Sequence, residues 1–138
     1  AAIGLAQLPY VSDEIAKRLT LVDAYLEGLS GVRGLRFIQP PPNVAHNGYM
    51  FPIIVEAEYP ITRDMLYENL KKNGISARRY FYPIVTDFPP FADAPSAGLE
   101  ALAVARRAAK SVLCLPLFPS LDPAVQKHII EIVRNPLR

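Results

Sequence analysis

The sequence has few of the residues on which covalent cross-linking or metal chemistry usually depends. Its 138 residues include no tryptophan, two histidines and one cysteine, Cys114. A single cysteine excludes a disulfide within the chain and favours a reducing, cytoplasmic compartment. No apolar run approaches the about 20 residues that a bilayer-spanning helix needs, and the first residues lack the pattern of a signal peptide. We therefore expect a soluble protein with no membrane partner.

An excess of charge of one sign is also missing. Fifteen lysine and arginine residues nearly balance thirteen acidic ones, which gives a formal net charge of +2 and no general attraction to nucleic acid. The spacing of cysteine, histidine and carboxylate residues fits no metal site, and the chain has no glycine-rich phosphate loop. His128 lies beside the apolar stripe of the last predicted helix. His46 lies in a turn-like loop, where it is either solvated or functional.

The candidate catalytic residues do not form a complete set. Cys114 is flanked by leucines, which is typical of a buried thiol and not of a nucleophile. The lysines fall among polar residues on predicted helices, whereas a lysine that forms an imine needs surroundings that lower its pKa. These lysines are Lys17, Lys71, Lys72, Lys110 and Lys127. We predict that the chain itself holds no catalytic residue, no cofactor-binding residue and no metal ligand.

What the chain does have is a globular composition and clear helix and strand signals. Hydrophobic residues make up 51% of the sequence, and 14 prolines predict many short connections. Apolar residues at spacings of three and four predict a long helix over 12–30, with Ser12 as its N-cap. Caps at Thr62 and Asp122 and a left-handed stop at Gly74 bound two other helices. The predicted elements are helices over 1–8, 12–30, 62–73, 98–111 and from 123 onward, and strands over 35–38, 49–57, 77–82 and 112–115.

This order of elements predicts a small α+β fold, with one domain over residues 1–138. The strands are few and the first two are adjacent, so we expect a short, mostly antiparallel sheet with helices packed on one face and a long N-terminal helix. Within the domain, 1–33 are expected to form linking helices and 34–138 the α+β layer. Pro52 has no N–H for a β-ladder, so its strand is expected to lie at an edge or to start irregularly.

The predicted strand over 77–82 carries the polar side chains that a ligand could use. In a regular strand Arg78, Tyr80 and Tyr82 share one face, while Arg79 and Phe81 share the other. A guanidinium can bind a phosphate through two hydrogen bonds, and tyrosine offers a flat ring with a hydroxyl, a pairing that suits a nucleotide or a sugar. An edge strand with solvated arginines and half-buried tyrosines accounts for the same residues equally well.

From end to end, the chain resembles the C-terminal small domain of the DegT/DnrJ/EryC1/StrS aminotransferases, fold-type I enzymes that use pyridoxal 5′-phosphate (PLP). The resemblance implies a part of an enzyme that takes an amino group from glutamate and passes it to a nucleotide-linked keto-sugar. It also implies a homodimer, and PLP bound in the complete enzyme by a lysine that lies outside this chain, so no cofactor is expected on this chain alone. The segments that carry the resemblance are 1–8, 15–18, 49–53, 63–66, 74–75, 79–83, 113–116 and 129–133.

The resemblance also implies which residues contact the substrate. Arg79 and Tyr80 stand where many family members carry a His-Tyr pair that is associated with the sugar-nucleotide pocket. Further candidates are Tyr82, Tyr49 and Asn47. Many members continue with Pro-Leu-His, whereas this chain has isoleucine and valine after Pro83. The histidine is thus replaced, which is compatible with a different substrate in this subgroup.

Two functions follow from these observations. The first is a part of a sugar aminotransferase that is inactive on its own, which we expect because the chain starts without methionine inside a helical pattern. The second is a stand-alone, non-catalytic binding or oligomerisation module derived from that domain. A lone small domain exposes the apolar surface that it otherwise buries, so self-association of the isolated chain is expected.

Overall fold

The computed structural model describes residues 1–94, 98, 100 and 102–137 and has the predicted α+β architecture. A long N-terminal helix precedes a three-stranded antiparallel sheet with the strand order β1-β2-β3. Short 3-10 turns cover Leu8–Tyr10 and Val85–Asp87. The helices and strands are α1 (Ala2–Gln7), α2 (Val11–Gly28), β1 (Leu35–Phe37), β2 (Phe51–Val55), α3 (Arg63–Lys72), α4 (Pro89–Ala92), α5 (Ala103–Ser111), β3 (Val112–Leu115) and α6 (Pro123–Arg134).

The central strand is β2, so the edge position, one of the two alternatives predicted from Pro52, is wrong. Ile53 pairs with Phe37 of β1 and with Leu113 of β3. Because β1 ends at Phe37, no β1 residue lies opposite Pro52, and the missing N–H interrupts no pairing with that strand. A proline is therefore tolerated at this position of a central strand.

The core lies on the face of the sheet that α2, α3 and α6 cover. Alternate residues of β2 point to this face, as the strand period requires, and are buried. The ring of Tyr25 on α2 stacks on Phe51, with 4.8 Å between ring centroids and 20° between ring planes. The core also contains Leu21, Leu29, Ile53, Leu66, Leu70, Leu113, Ile129 and Val133.

The first part of α2 differs from the prediction. Tyr10 occupies the N-cap position and Ser12 lies inside the helix, because α1 runs through the Leu8–Tyr10 turn into α2 and the backbone N–H of Val11 already donates to the carbonyl of Leu8. No side chain is needed to cap that end. The buried residues of α2 itself are Leu21 and Tyr25, in its second half.

The other helix boundaries follow local chemistry. The Thr62 hydroxyl accepts a hydrogen bond from the Met65 N–H, and the Asp122 carboxylate accepts one from the Ala124 N–H. Gly74 has a φ of 76° after α3. These three predictions are confirmed. Helix α5 begins at Ala103 instead of residue 98, and positions 99 and 101 of that predicted helix lie outside the described residues.

Three buried or half-buried polar side chains tie distant segments together. The Tyr25 hydroxyl donates to the Pro116 carbonyl at 2.9 Å, and the Tyr59 hydroxyl donates to the Val133 carbonyl at 2.6 Å. Gln126 on α6 donates to the carbonyl of Leu21 on α2 at 2.7 Å. Burial raises the pKa of both tyrosines above the ordinary value, so their hydroxyls stay protonated donors.

Among the helices of the described chain, none is long and apolar enough to cross a membrane.

At Gly34 the backbone passes close to the backbone of Glu58 and Tyr59. We therefore predict that Gly34→Ala is much more destabilising than Gly31→Ala. Both glycines have positive φ, 77° and 71°, which costs a residue with a side chain about 1–2 kcal/mol. A Cβ on Gly34 would overlap the backbone nitrogen of Tyr59, whereas no atom of the described residues lies within 4 Å of a Cβ on Gly31. Urea denaturation measures both free energies of unfolding, and equal losses contradict the close approach.

We also predict that Tyr25→Phe lowers the free energy of unfolding by about 1–2 kcal/mol. The substitution keeps the stacked ring and removes only the hydroxyl, so the Pro116 carbonyl loses its donor. Tyr10→Phe is the control, because Tyr10 is 65% exposed; its effect is expected to stay within about 0.5 kcal/mol. Equal stability of the two variants in thermal and urea denaturation contradicts the role given to the Tyr25 hydroxyl.

Candidate functional site

A cleft of about 420 Å³ opens where β3 leaves the sheet. We call it the strand-end cleft. One wall is the segment 114–118, and the others come from the residues just before β2 and from the segment 76–80. Its lining residues are Tyr49, Met50, Ser76, Arg78, Tyr80, Cys114, Leu115, Pro116, Leu117 and Phe118. Among the described lining residues outside the 114–118 wall, all except Met50 are of a type that carries a hydroxyl or a guanidinium.

The wall that carries Arg78 and Tyr80 is fixed by two backbone hydrogen bonds. The Arg78 N–H donates to the Cys114 carbonyl at 3.0 Å, and the Cys114 N–H donates to the Arg78 carbonyl at 2.8 Å. This is a single bridge and not the strand predicted over 77–82, because the chain turns at residues 80–81. The strand prediction is therefore wrong beyond one residue. Tyr80 lies at this turn and lines the cleft.

Tyr49 is held at the opposite side of the cleft by a tight loop. Its backbone N–H donates to the Asn47 side-chain oxygen at 3.0 Å, and the Gly48 N–H donates to His46 Nδ1 at 3.1 Å. Arg18 on α2 donates to the Asn47 carbonyl at 3.1 Å, which ties this loop to the long helix. The Tyr49 side chain itself is 68% exposed, so its ring and hydroxyl are accessible.

Cys114 contributes to the lining of the cleft but is not set up as a nucleophile. Burial raises the pKa of its thiol, and the positive charge of Arg78 opposes part of that rise. The thiol therefore remains neutral near pH 7, as expected for the buried position that its leucine neighbours predict.

A second group of polar and aromatic residues lies outside the cleft lining. We call it the guanidinium cluster; its members are Arg63, Asp64, Tyr67, Arg79 and Tyr82. Asp64 Oδ1 accepts from Arg63 Nε at 2.8 Å and from Arg79 Nη1 at 3.3 Å. The Arg79 guanidinium carbon lies 4.5 Å from the ring centroid of Tyr67 and 5.4 Å from that of Tyr82. These contacts place a cation between an acid and two aromatic rings.

Arg63 connects the guanidinium cluster to the sheet. Its side chain is almost fully buried, and Nη1 donates to the Val112 carbonyl at the start of β3, at 2.9 Å. Its guanidinium carbon lies 5.0 Å from the ring centroid of Tyr82. Its Nη2 has no hydrogen-bond partner among the described residues. Arg63 thus anchors the cluster to the start of β3, while the Arg79 side chain is partly exposed to solvent.

The structure separates the five residues that the sequence proposed for substrate contact. Tyr49 and Tyr80 line the strand-end cleft, whereas Arg79 and Tyr82 belong to the guanidinium cluster. Asn47 lies in the loop below Tyr49 and is absent from the lining of the cleft. A sixth residue, Arg78, also lines the cleft; the sequence placed it among the polar side chains of the predicted strand, but the family resemblance did not name it. The signal for it was present, because strand alternation puts Arg78 on the same face as Tyr80.

The lining of the cleft does not fit the anchoring of PLP. That cofactor forms an imine with a lysine, and all five lysines of the chain are exposed on helices and outside the cleft lining. Within the described part of the chain, no group of three or more histidine, cysteine, aspartate or glutamate residues could hold a metal ion. The described residues can bind and orient a ligand, but they contain no imine-forming centre.

Comparison with known proteins identifies relatives along nearly the whole chain. The chain is 34% identical over 133 residues to a dTDP-4-amino-4,6-dideoxy-D-glucose transaminase from Escherichia coli, a match that covers 96% of this chain and 36% of the relative. It is 32% identical to a 3-oxo-glucose-6-phosphate:glutamate aminotransferase from Bacillus subtilis, with 95% and 30% covered. The chain thus spans about a third of the length of these curated relatives.

Solved structures agree in fold. The chain superposes on DesV from S. venezuelae, crystallised with a ketimine intermediate, with a TM-score of 0.84 and 27% sequence identity; 97% of this chain and 34% of DesV are covered. The sequence model of the DegT/DnrJ/EryC1/StrS aminotransferase family matches residues 1–134. Because that match covers nearly the whole chain, the chain belongs to the DegT/DnrJ/EryC1/StrS aminotransferase family.

Proposed function

We propose that this chain is the C-terminal small domain of a PLP-dependent aminotransferase that acts on a nucleotide-linked keto-sugar. The observation that carries the proposal is the family match over residues 1–134 in a chain that spans 36% of a dTDP-sugar transaminase. Glutamate is the proposed amino donor, in line with the name of the Bacillus subtilis relative. The lysine and the other groups that hold PLP come from outside this chain, which is inactive on its own.

Within that enzyme, the strand-end cleft is the part of this domain that faces substrate. Tyr49 and Tyr80 contact the substrate, since both line the cleft with rings and hydroxyls. Arg79, Tyr82 and Asn47 position the residues that contact the substrate and do not contact it themselves. Arg79 and Tyr82 fix the segment 76–80 from behind, through Asp64 and the rings, and Asn47 fixes the loop of Tyr49.

Assembly, location and domain extent complete the proposal. The enzyme is a homodimer in the cytoplasm, which agrees with its family and with the one buried cysteine. The domain extends over residues 1–138, with 1–33 as linking helices. Helix α1 and the turn after it expose Ile3, Leu5 and Leu8, an apolar surface that suits contact with the rest of the enzyme.

An amino-transfer assay tests the function. The full-length protein that contains this chain is incubated with dTDP-4-amino-4,6-dideoxy-D-glucose and 2-oxoglutarate, and glutamate and the keto-sugar are followed by mass spectrometry. We expect amino transfer by the full-length protein, with the visible absorbance of PLP, and no transfer by the 138-residue chain alone. A native protein whose intact mass equals that of this chain, and which binds the nucleotide-sugar without PLP absorbance or amino transfer, supports the stand-alone module instead.

Substitution of Tyr80 tests which residues face the substrate. In the full-length enzyme, Tyr80→Phe keeps the ring and removes a hydroxyl in the cleft, so KM for the sugar nucleotide should rise about 2–10-fold with kcat little changed. Tyr82→Phe is the matched control, because Tyr82 belongs to the guanidinium cluster and keeps its ring contacts with Arg63 and Arg79. A larger effect on KM from Tyr82→Phe than from Tyr80→Phe contradicts the assignment.

A further inference from the structure

Arg78 and Arg79 are adjacent in sequence but differ in their contacts with other side chains. Arg79 is paired with Asp64 and lies beside two tyrosine rings. Arg78 lines the strand-end cleft, and none of the ion pairs between described residues involves it. Its side chain also makes no hydrogen bond within the described part of the chain. The positive charge of Arg79 is thus compensated by Asp64, whereas the exposed side chain of Arg78 has no partner among the described residues.

Among the described residues that line the cleft, none carries a charge that could neutralise Arg78. Arg78 is the one charged residue in that part of the lining, which includes no aspartate or glutamate. The polar side chains that accompany it are the hydroxyls of Tyr49, Ser76 and Tyr80. A guanidinium has five N–H donors and no acceptor, so it repels cations and favours a ligand with negatively charged oxygens.

The backbone of Arg78 is held more firmly than that of its neighbours. Both its N–H and its carbonyl bond to Cys114 of β3, at 3.0 and 2.8 Å. The side chain therefore starts from a fixed point at the edge of the sheet. Such fixing lowers the conformational entropy that the arginine loses when a ligand binds.

From these contacts, we propose that Arg78 binds an oxyanion of the substrate in the strand-end cleft, with Ser76, Tyr49 and Tyr80 offering hydroxyl hydrogen bonds to the same ligand. The oxyanion is either a phosphate of the nucleotide or a carboxylate of the amino donor, and both fit the paired N–H groups of a guanidinium. The inference rests on the proposed function only in that the cleft faces substrate.

The test uses the full-length protein that contains this chain and two unreactive probes, thymidine 5′-diphosphate and glutarate. Calorimetry gives the Kd of each probe for the wild type, Arg78→Gln and Arg78→Lys. Arg33→Gln is the control, because it removes one exposed positive charge outside the cleft lining. Circular dichroism checks that each variant folds, as expected for a side chain with no partner among the described residues.

We expect Arg78→Gln to raise the Kd of one probe about 10–100-fold, as the loss of a charged hydrogen bond predicts, and Arg33→Gln to leave it unchanged. Arg78→Lys keeps the charge and loses the paired geometry, so its Kd should fall between the two. A selective effect on thymidine 5′-diphosphate assigns the nucleotide phosphate, and one on glutarate assigns the donor carboxylate.

Two results overturn the proposal: Arg78→Gln binds both probes as tightly as the wild type, or the wild type binds neither. These results are distinct from failure of the proposed function. A protein that binds a probe through Arg78 but transfers no amino group disproves the aminotransferase and leaves the oxyanion site. A protein that transfers amino groups equally well with Arg78→Gln, and binds both probes unchanged, disproves the oxyanion site alone.

Discussion

The pair of backbone hydrogen bonds between Arg78 and Cys114 is the contact on which the rest of the candidate site depends. It holds the segment 76–80 against β3 and so forms one wall of the strand-end cleft. Arg78 makes the bridge to Cys114 and lines the cleft, whereas the next residue, Arg79, pairs with Asp64. The two neighbouring arginines therefore have different surroundings.

Much of the fold could be predicted from the sequence because its determinants are local. Thr62 and Asp122 cap helices with their own side chains, and Gly74 ends one in the left-handed conformation. The predictions failed where contacts with other segments determine the local structure. Ser12 has the chemistry of a cap, but the chain before it is already helical, and Pro52 is accepted in a central strand because β1 stops opposite Ile53.

The site was less predictable than the fold for the same reason. Sequence alternation grouped Arg78 with Tyr80, and both line the cleft. It wrongly added Tyr82, which lies beside Arg79, and it could not show that α3 brings Asp64 and Tyr67 to Arg79. That pairing joins residues from different elements, and only the packing of α3 beside β3 decides it. The resemblance to a family directed attention to Arg79 and Tyr80 together, whereas the structure separates their surroundings.

The hydrogen bond from Tyr25 to the Pro116 carbonyl has a mechanical consequence. Tyr25 belongs to the long helix α2, and Pro116 belongs to a wall of the strand-end cleft. Helix α2 cannot tilt against the sheet without either breaking this bond or displacing that wall. The Arg18 contact with the Asn47 carbonyl joins the same helix to the loop of Tyr49, on another wall. Helix α2 is thus hydrogen-bonded both to a wall of the cleft and to the loop that carries Tyr49, so a displacement of the helix against the sheet requires the loss of these bonds or a movement of the segments they hold.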